Sequence, residues 1–189
     1  LAHNIAQILP KDLCKSFFCN SGAESVEGAV KAAYKYHNGK RKYVLHSDIA
    51  FHGKLIATSS LSGTRSKKIF PELLNKKVFR YNDKNSLEKL INETKNRNSS
   101  DIYAIIIETY SNSTLTEATE DFVKYLRKIT EKHNIILIFD EVYTGWGKTG
   151  ELFHFNHYSN LFPDILCFSK SFGGGKSSIS TYVVNKNIY

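Results

Sequence analysis

The 189-residue sequence contains no methionine, three cysteines, and no apolar run near the roughly 20 residues that span a bilayer. The missing methionine suggests a piece cut from a longer chain. The opening segment, Leu1 to Pro10, reads as a short amphipathic helix stopped by proline. It lacks the basic start and the cleavage site of a signal peptide. Cys14, Cys19 and Cys167 are odd in number and form no CxxC pair. That argues against a disulfide framework and a zinc site, and it favours a reducing, cytoplasmic setting. Internal repeats and linkers are also lacking, so the length suits one domain with a substantial core. No membrane partner is expected.

The one compositional bias is charge, a net +8. Such a charge suits a polyanionic partner. Yet Lys and Arg are scattered, clustering only at Lys40-Arg41-Lys42, Lys67-Lys68 and Lys76-Lys77. A Lys- and Asn-rich surface explains this, and no nucleic-acid partner is expected.

Strand-like and helix-like runs alternate along the chain. Ser16 to Cys19, Tyr43 to His46, Val78 to Tyr81, Ile102 to Ile107, Ile135 to Asp140, Ile165 to Phe168 and Ser180 to Val184 read as strands. Ser21 with Glu24 three residues on is a capping box opening a helix to about Tyr36. Helices are also expected from Ser86 and over Thr119 to Lys132. Residues 54 to 76 show no clear period, and Asn96 to Ser100 reads as a polar loop. The alternation predicts an α/β fold with a mostly parallel central sheet and helices on both faces.

Open α/β sheets bind ligands at the carboxyl ends of their strands. Five such ends carry polar or aromatic groups: Ser21-Gly22-Ala23, Phe51-His52, Glu108, Asp140 and Lys170. Backbone N–H groups at a helix start favour a phosphate, although many such starts are plain caps. Phe51 suits stacking on a planar ring and equally suits a core. A buried Asp140 needs a cationic partner, such as a protonated pyridine nitrogen. No His or Cys stands at ligand spacing near Asp140 and Glu141, so no metal is expected. Lys170, between an apolar strand and Gly173-Gly174-Gly175, suits a desolvated amine able to form a Schiff base. Glycines there would let the backbone approach a ligand.

Asn20-Ser21-Gly22-Ala23-Glu24, Ala50-Phe51-His52-Gly53, the run from Asp140-Glu141-Val142 to Gly150, and Pro163-Asp164-Ile165 through Lys170 to Gly175 together resemble the class III (ω-) aminotransferases. The resemblance covers nearly the whole chain. It implies a fold type I large domain using pyridoxal 5'-phosphate to move an amino group from an amine or ω-amino acid to a 2-oxo acid. Residues 1–189 would be the central part of that domain, without its N-terminal segment and C-terminal small domain, in a homodimer. Lys170 would hold the cofactor aldehyde and shuttle a proton, and Asp140 would pair with the pyridine nitrogen. Ser21, Gly22 and Ala23 would take the phosphate. Phe51 and Val142 would cover the two ring faces, His52 would lie beside the cofactor, and Glu108 would face the substrate. Tyr143 stands where the family usually has Gln, which reaches the cofactor's phenolic oxygen. The divergent loop from Thr109 to Thr116 leaves the donor unidentified.

A decarboxylase, racemase or aminomutase on the same scaffold would need the same cofactor residues. A silent structural homologue would have little use for both Asp140 and Lys170. Gly173-Gly174-Gly175-Lys176-Ser177 is no P-loop, because Lys170 occupies the position of its first glycine and a strand follows.

Overall fold

The computed structural model describes residues 1–10, 12–63, 73–96 and 99–188. The Lys67-Lys68 pair, part of the aperiodic stretch after residue 54, and the tip of the polar loop at 97–98 lie outside these residues. Seven strands form one sheet: β1 (Leu13–Cys19), β2 (Tyr43–Ser47), β3 (Lys76–Phe79), β4 (Ile102–Ile107), β5 (Ile136–Asp140), β6 (Ile165–Phe168) and β7 (Ser180–Asn185). Their spatial order is β1-β7-β6-β5-β4-β2-β3. The β6–β5, β5–β4, β4–β2 and β2–β3 pairs are parallel. Strand β7 runs antiparallel to both β6 and β1. Two reversals restore direction, so β1 shares the sense of the main parallel set.

Burial on both faces explains why the central strands read as unbroken apolar runs. On β4, Ile105 and Ile107 enter one core while Ala104 and Ile106 enter the other. On β5, Leu137 and Phe139 oppose Ile136 and Ile138 in the same way. The first core is closed by α1 (Ala2–Ile8), α4 (Lys84–Glu93) and α5 (Glu120–His133). The second is closed by α2 (Gly22–Tyr36) through Val26, Ala29, Val30 and Ala33. The expected α/β architecture, with helices on both faces, is therefore present.

Local chemistry fixes the helix ends. In α5, the Thr119 side chain accepts from the Phe122 N–H at 3.2 Å, with Glu120 and Asp121 in the first turn. Asn134 closes it at φ +49°, and Arg41 donates to the free carbonyls of His133 and Asn134 and to Ile102 at the start of β4. Some boundaries differ from expectation. Strand β1 begins at Leu13 because it pairs along β7, and β3 lies two residues earlier than its apolar pattern suggests. A short helix, α3 (Ile56–Ser60), forms in the stretch without a clear period. Among the described residues, no helix is long and apolar enough to cross a membrane.

Candidate active site

Because β1, β2, β4, β5 and β6 share one sense, the segments leaving their carboxyl ends converge on one edge of the sheet. A cavity of about 300 Å³ lies there, and Gly22, Ala23, Phe51, His52, Glu108, Asp140, Val142, Tyr143 and Lys170 all reach its wall. One cavity thus gathers five separate pieces of chain. A larger groove of about 1010 Å³ runs beside α2, walled by residues such as Val30, Leu74, Tyr103 and Tyr182. Among the described residues no carboxylate lines it, whereas the smaller cavity has both acid and amine on its wall.

Asp140 is the last residue of β5 and is buried. One carboxylate oxygen lies 2.7 Å from His52 Nδ1, and the other accepts from the Val142 N–H at 3.0 Å. These contacts offset the cost of burying the acid. His52 is itself buried, and among the described residues its Nε2 has no hydrogen-bond partner. Glu108 follows β4 directly and accepts from the Phe51 N–H at 2.8 Å. Burial pushes its carboxyl up to about 7, with the nearby His52 opposing and Asp140 reinforcing the rise. Phe51 remains 40% exposed, so its ring is available at the mouth rather than consumed by the core.

Lys170 does not stand on a strand end. It opens a 3-10 turn, Lys170–Gly173, two residues past β6, at φ +45°. Its Nζ lies 4.8 Å from the centre of the Tyr143 ring. Partial enclosure lowers the proton affinity of the amine, Asp140 and Glu108 oppose that change, and Lys148 adds to it. The glycines behind it serve another purpose than the sequence suggests. Gly174 and Gly175 have φ +61° and +73°, and a Cβ on either would meet nothing within 4 Å. They permit the turn, not a close approach.

Helix α2 delivers its N-terminus to the cavity. A Cβ on Gly22 would sit 2.6 Å from Val142 Cγ1, so only glycine lets the helix start lie this close to the β5 exit. The first N–H groups of a helix have no acceptor within it, which leaves those of Gly22 and Ala23 for a ligand. The Ser21 hydroxyl is committed elsewhere. It donates to Glu24 Oε2 at 2.8 Å and accepts from the Glu24 N–H at 3.3 Å, completing the capping box. Ser21 is not part of the cavity wall.

Lys54, Asn112 and Ser169 also line the cavity. Sequence reasoning did not single them out, since a lysine after a glycine and an Asn in a divergent loop carry no pattern of their own. It also left Glu141 without a role. That carboxylate is fully buried and accepts from the His154 and Phe155 N–H groups at 2.6 and 2.8 Å and from the Thr144 hydroxyl at 3.1 Å. It pins the loop that carries Val142 and Tyr143.

The model of the family described as Aminotransferase class-III matches residues 1–189. The acetylornithine aminotransferase of a Prochlorococcus marinus strain is 37% identical over 193 aligned residues, covering 97% of this chain and 45% of that protein. The acetylornithine aminotransferase of Methanopyrus kandleri is 37% identical over 177 residues, covering 92% of this chain and 43% of its own length. This chain therefore spans less than half of those relatives. Among solved structures, an (S)-enantioselective omega-transaminase from Thermomicrobium roseum superposes with a TM-score of 0.90 at 26% identity, over 99% of this chain and 46% of that one. An adenosylmethionine-8-amino-7-oxononanoate aminotransferase from Methanocaldococcus jannaschii gives 0.89 at 26% identity, over 100% and 45%.

Proposed function

This chain belongs to the class III aminotransferase family, and from that premise we propose that the whole protein is a pyridoxal-phosphate-dependent aminotransferase. Its donor would be an amine or ω-amino acid and its acceptor a 2-oxo acid. The observation that carries the reading is one cavity holding a buried carboxylate, Asp140, and an amine of lowered proton affinity, Lys170. The residues present fit the cofactor. A helix start stripped of side-chain bulk at Gly22 suits its phosphate, a buried acid suits its ring nitrogen, and a reachable lysine suits its aldehyde.

When bound, pyridoxal phosphate supplies an electron sink that acidifies the hydrogen beside the substrate nitrogen and carries the amino group between two half reactions. Gly22 and Ala23 would donate N–H groups to the phosphate, aided by the α2 dipole. Asp140 would hold the ring nitrogen in its protonated form, and His52 with the Val142 N–H keeps that carboxylate aimed. Phe51 and Val142, both on the cavity wall, would limit the space on either side of the ring. Tyr143 offers a hydroxyl on the side where the family's Gln would stand. Lys170 Nζ takes the proton released at the substrate carbon that bears nitrogen. Glu108, at the substrate side, is placed to meet an amino or carboxylate group.

Residues 1–189 are read as the central part of the cofactor-binding large domain of a fold type I enzyme, active as a cytoplasmic homodimer. The test is spectroscopic. The whole protein should be yellow with bound cofactor, and borohydride should bleach it and leave the cofactor attached to the Lys170 peptide. Lys170→Ala should lose both signals. An omega-amino donor should change the spectrum, and a 2-oxo acid should restore it. A colourless protein, or cofactor trapped on another lysine, would overturn the reading.

A further inference from the structure

The loop after Asp140 brings two lysines to one aromatic ring. Lys148 Nζ and Lys170 Nζ each lie 4.8 Å from the centre of Tyr143. The two amines are therefore no farther apart than twice that distance. Lys148 is exposed, and it sits between Gly147 at φ +86° and Gly150 at φ +95°. Nothing in the transfer just described uses it.

We propose that Tyr143 and Lys148 form a positioning pair for Lys170. The ring fixes where the Lys170 amine rests, and the second ammonium on the same ring disfavours a proton there. The proposal rests on Lys170 being the residue that carries the cofactor.

The charges around Lys170 show why such a pair is useful. Asp140 and Glu108 both favour its protonated form, and an aromatic face alone would do the same. Those three influences hold the proton on the amine, and the protonated form cannot attack a carbonyl carbon. The opposing influences are partial burial and like charge from Lys148. Lys54 on the wall adds a further positive charge, while the buried His52 is engaged with Asp140. Lys148 is the cation tied to the same ring, so its repulsion acts at a defined place.

The test follows Lys170 in the whole protein stripped of cofactor. Competitive acetylation at a series of pH values, read on the Lys170 peptide by mass spectrometry, gives the titration midpoint of that one amine. Lys148→Gln should raise the midpoint by about half to one pH unit, the Coulomb effect of one partly screened charge at this range. Lys148→Arg, which keeps the charge, should leave it in place. In a Tyr143→Leu background, Lys148→Gln should have little further effect, because the ring no longer holds the two amines together. The labelling rate of Lys124, on the far helix α5, checks that each variant remains folded. An unmoved midpoint in Lys148→Gln, or an equal shift in Lys148→Arg, overturns the proposal. Borohydride trapping on the unsubstituted protein separates the two levels of inference. If Lys170 traps the cofactor and its midpoint ignores Lys148, the pairing alone fails; if Lys170 traps nothing, the functional reading has failed first.

Discussion

Glu141 offers the sharpest test of how the site is held in shape. Its carboxylate is fully buried and receives two backbone N–H groups and one hydroxyl. Glu141→Ala would strand the His154 and Phe155 N–H groups in the interior. A buried donor left without an acceptor costs about 1–3 kcal/mol, so stranding the two should cost about 2–6 kcal/mol. Against a typical total of about 5–15 kcal/mol, that is a large fraction of the stability. Glu141→Gln keeps one acceptor oxygen and should recover roughly half.

The pH dependence of that loss has a definite sign. Burial outweighs the three donors and pushes the Glu141 carboxyl up to about 7. A carboxyl raised on folding contributes most below its unfolded value, near 4.5, and loses that contribution as pH rises through 7. The alanine penalty should therefore be greater at pH 5 than at pH 8. Chemical denaturation of the whole protein, followed by circular dichroism at both pH values, measures it. Hydrogen exchange over residues 142–155 should rise sharply in the alanine variant, because that loop loses its anchor. A loss under about 1 kcal/mol with unchanged exchange would refute the reasoning.

Two other substitutions probe separate features. Glu108→Gln should flatten the decline of stability between pH 5 and 7, because the native carboxyl there titrates at about 7 while the unfolded one is already ionised. Denaturation midpoints across that window check it, and an unchanged slope counts against a raised Glu108. Gly28→Ala would place a Cβ 2.3 Å from Tyr182 Cε1, beneath the ring stacked on Phe17 at 4.9 Å. It should lower stability by about 1–3 kcal/mol in thermal unfolding, with cofactor affinity unaltered since neither ring borders the candidate site.

Much of the site was legible because its residues follow strands whose apolar runs announce themselves. Asp140 ends β5 and Glu108 succeeds β4 as the pattern predicts. The capping box at Ser21 was equally plain, since its partner stands only three residues away. What pattern could not reveal was the use to which a group is put. The Ser21 hydroxyl reads as a phosphate ligand, and the structure shows it bonded to Glu24. Glu141 looks like a companion of Asp140, but its partners are 13 and 14 residues downstream. The approach of Lys148 and Lys170 to the one Tyr143 ring involves a loop with Trp146 and Gly147 both at positive φ. Helix α3 was missed because Ile56-Ala57-Thr58-Ser59-Ser60 is too short to display a period.

The backbone of Lys170 carries a last implication. A left-handed φ of +45° is uncomfortable for any residue with a Cβ, by about 1–2 kcal/mol. Glycine would relieve that strain in the folded turn but loses more freedom on folding, so the two effects oppose each other. The amine of the candidate site is thus presented from a bend that few side chains adopt.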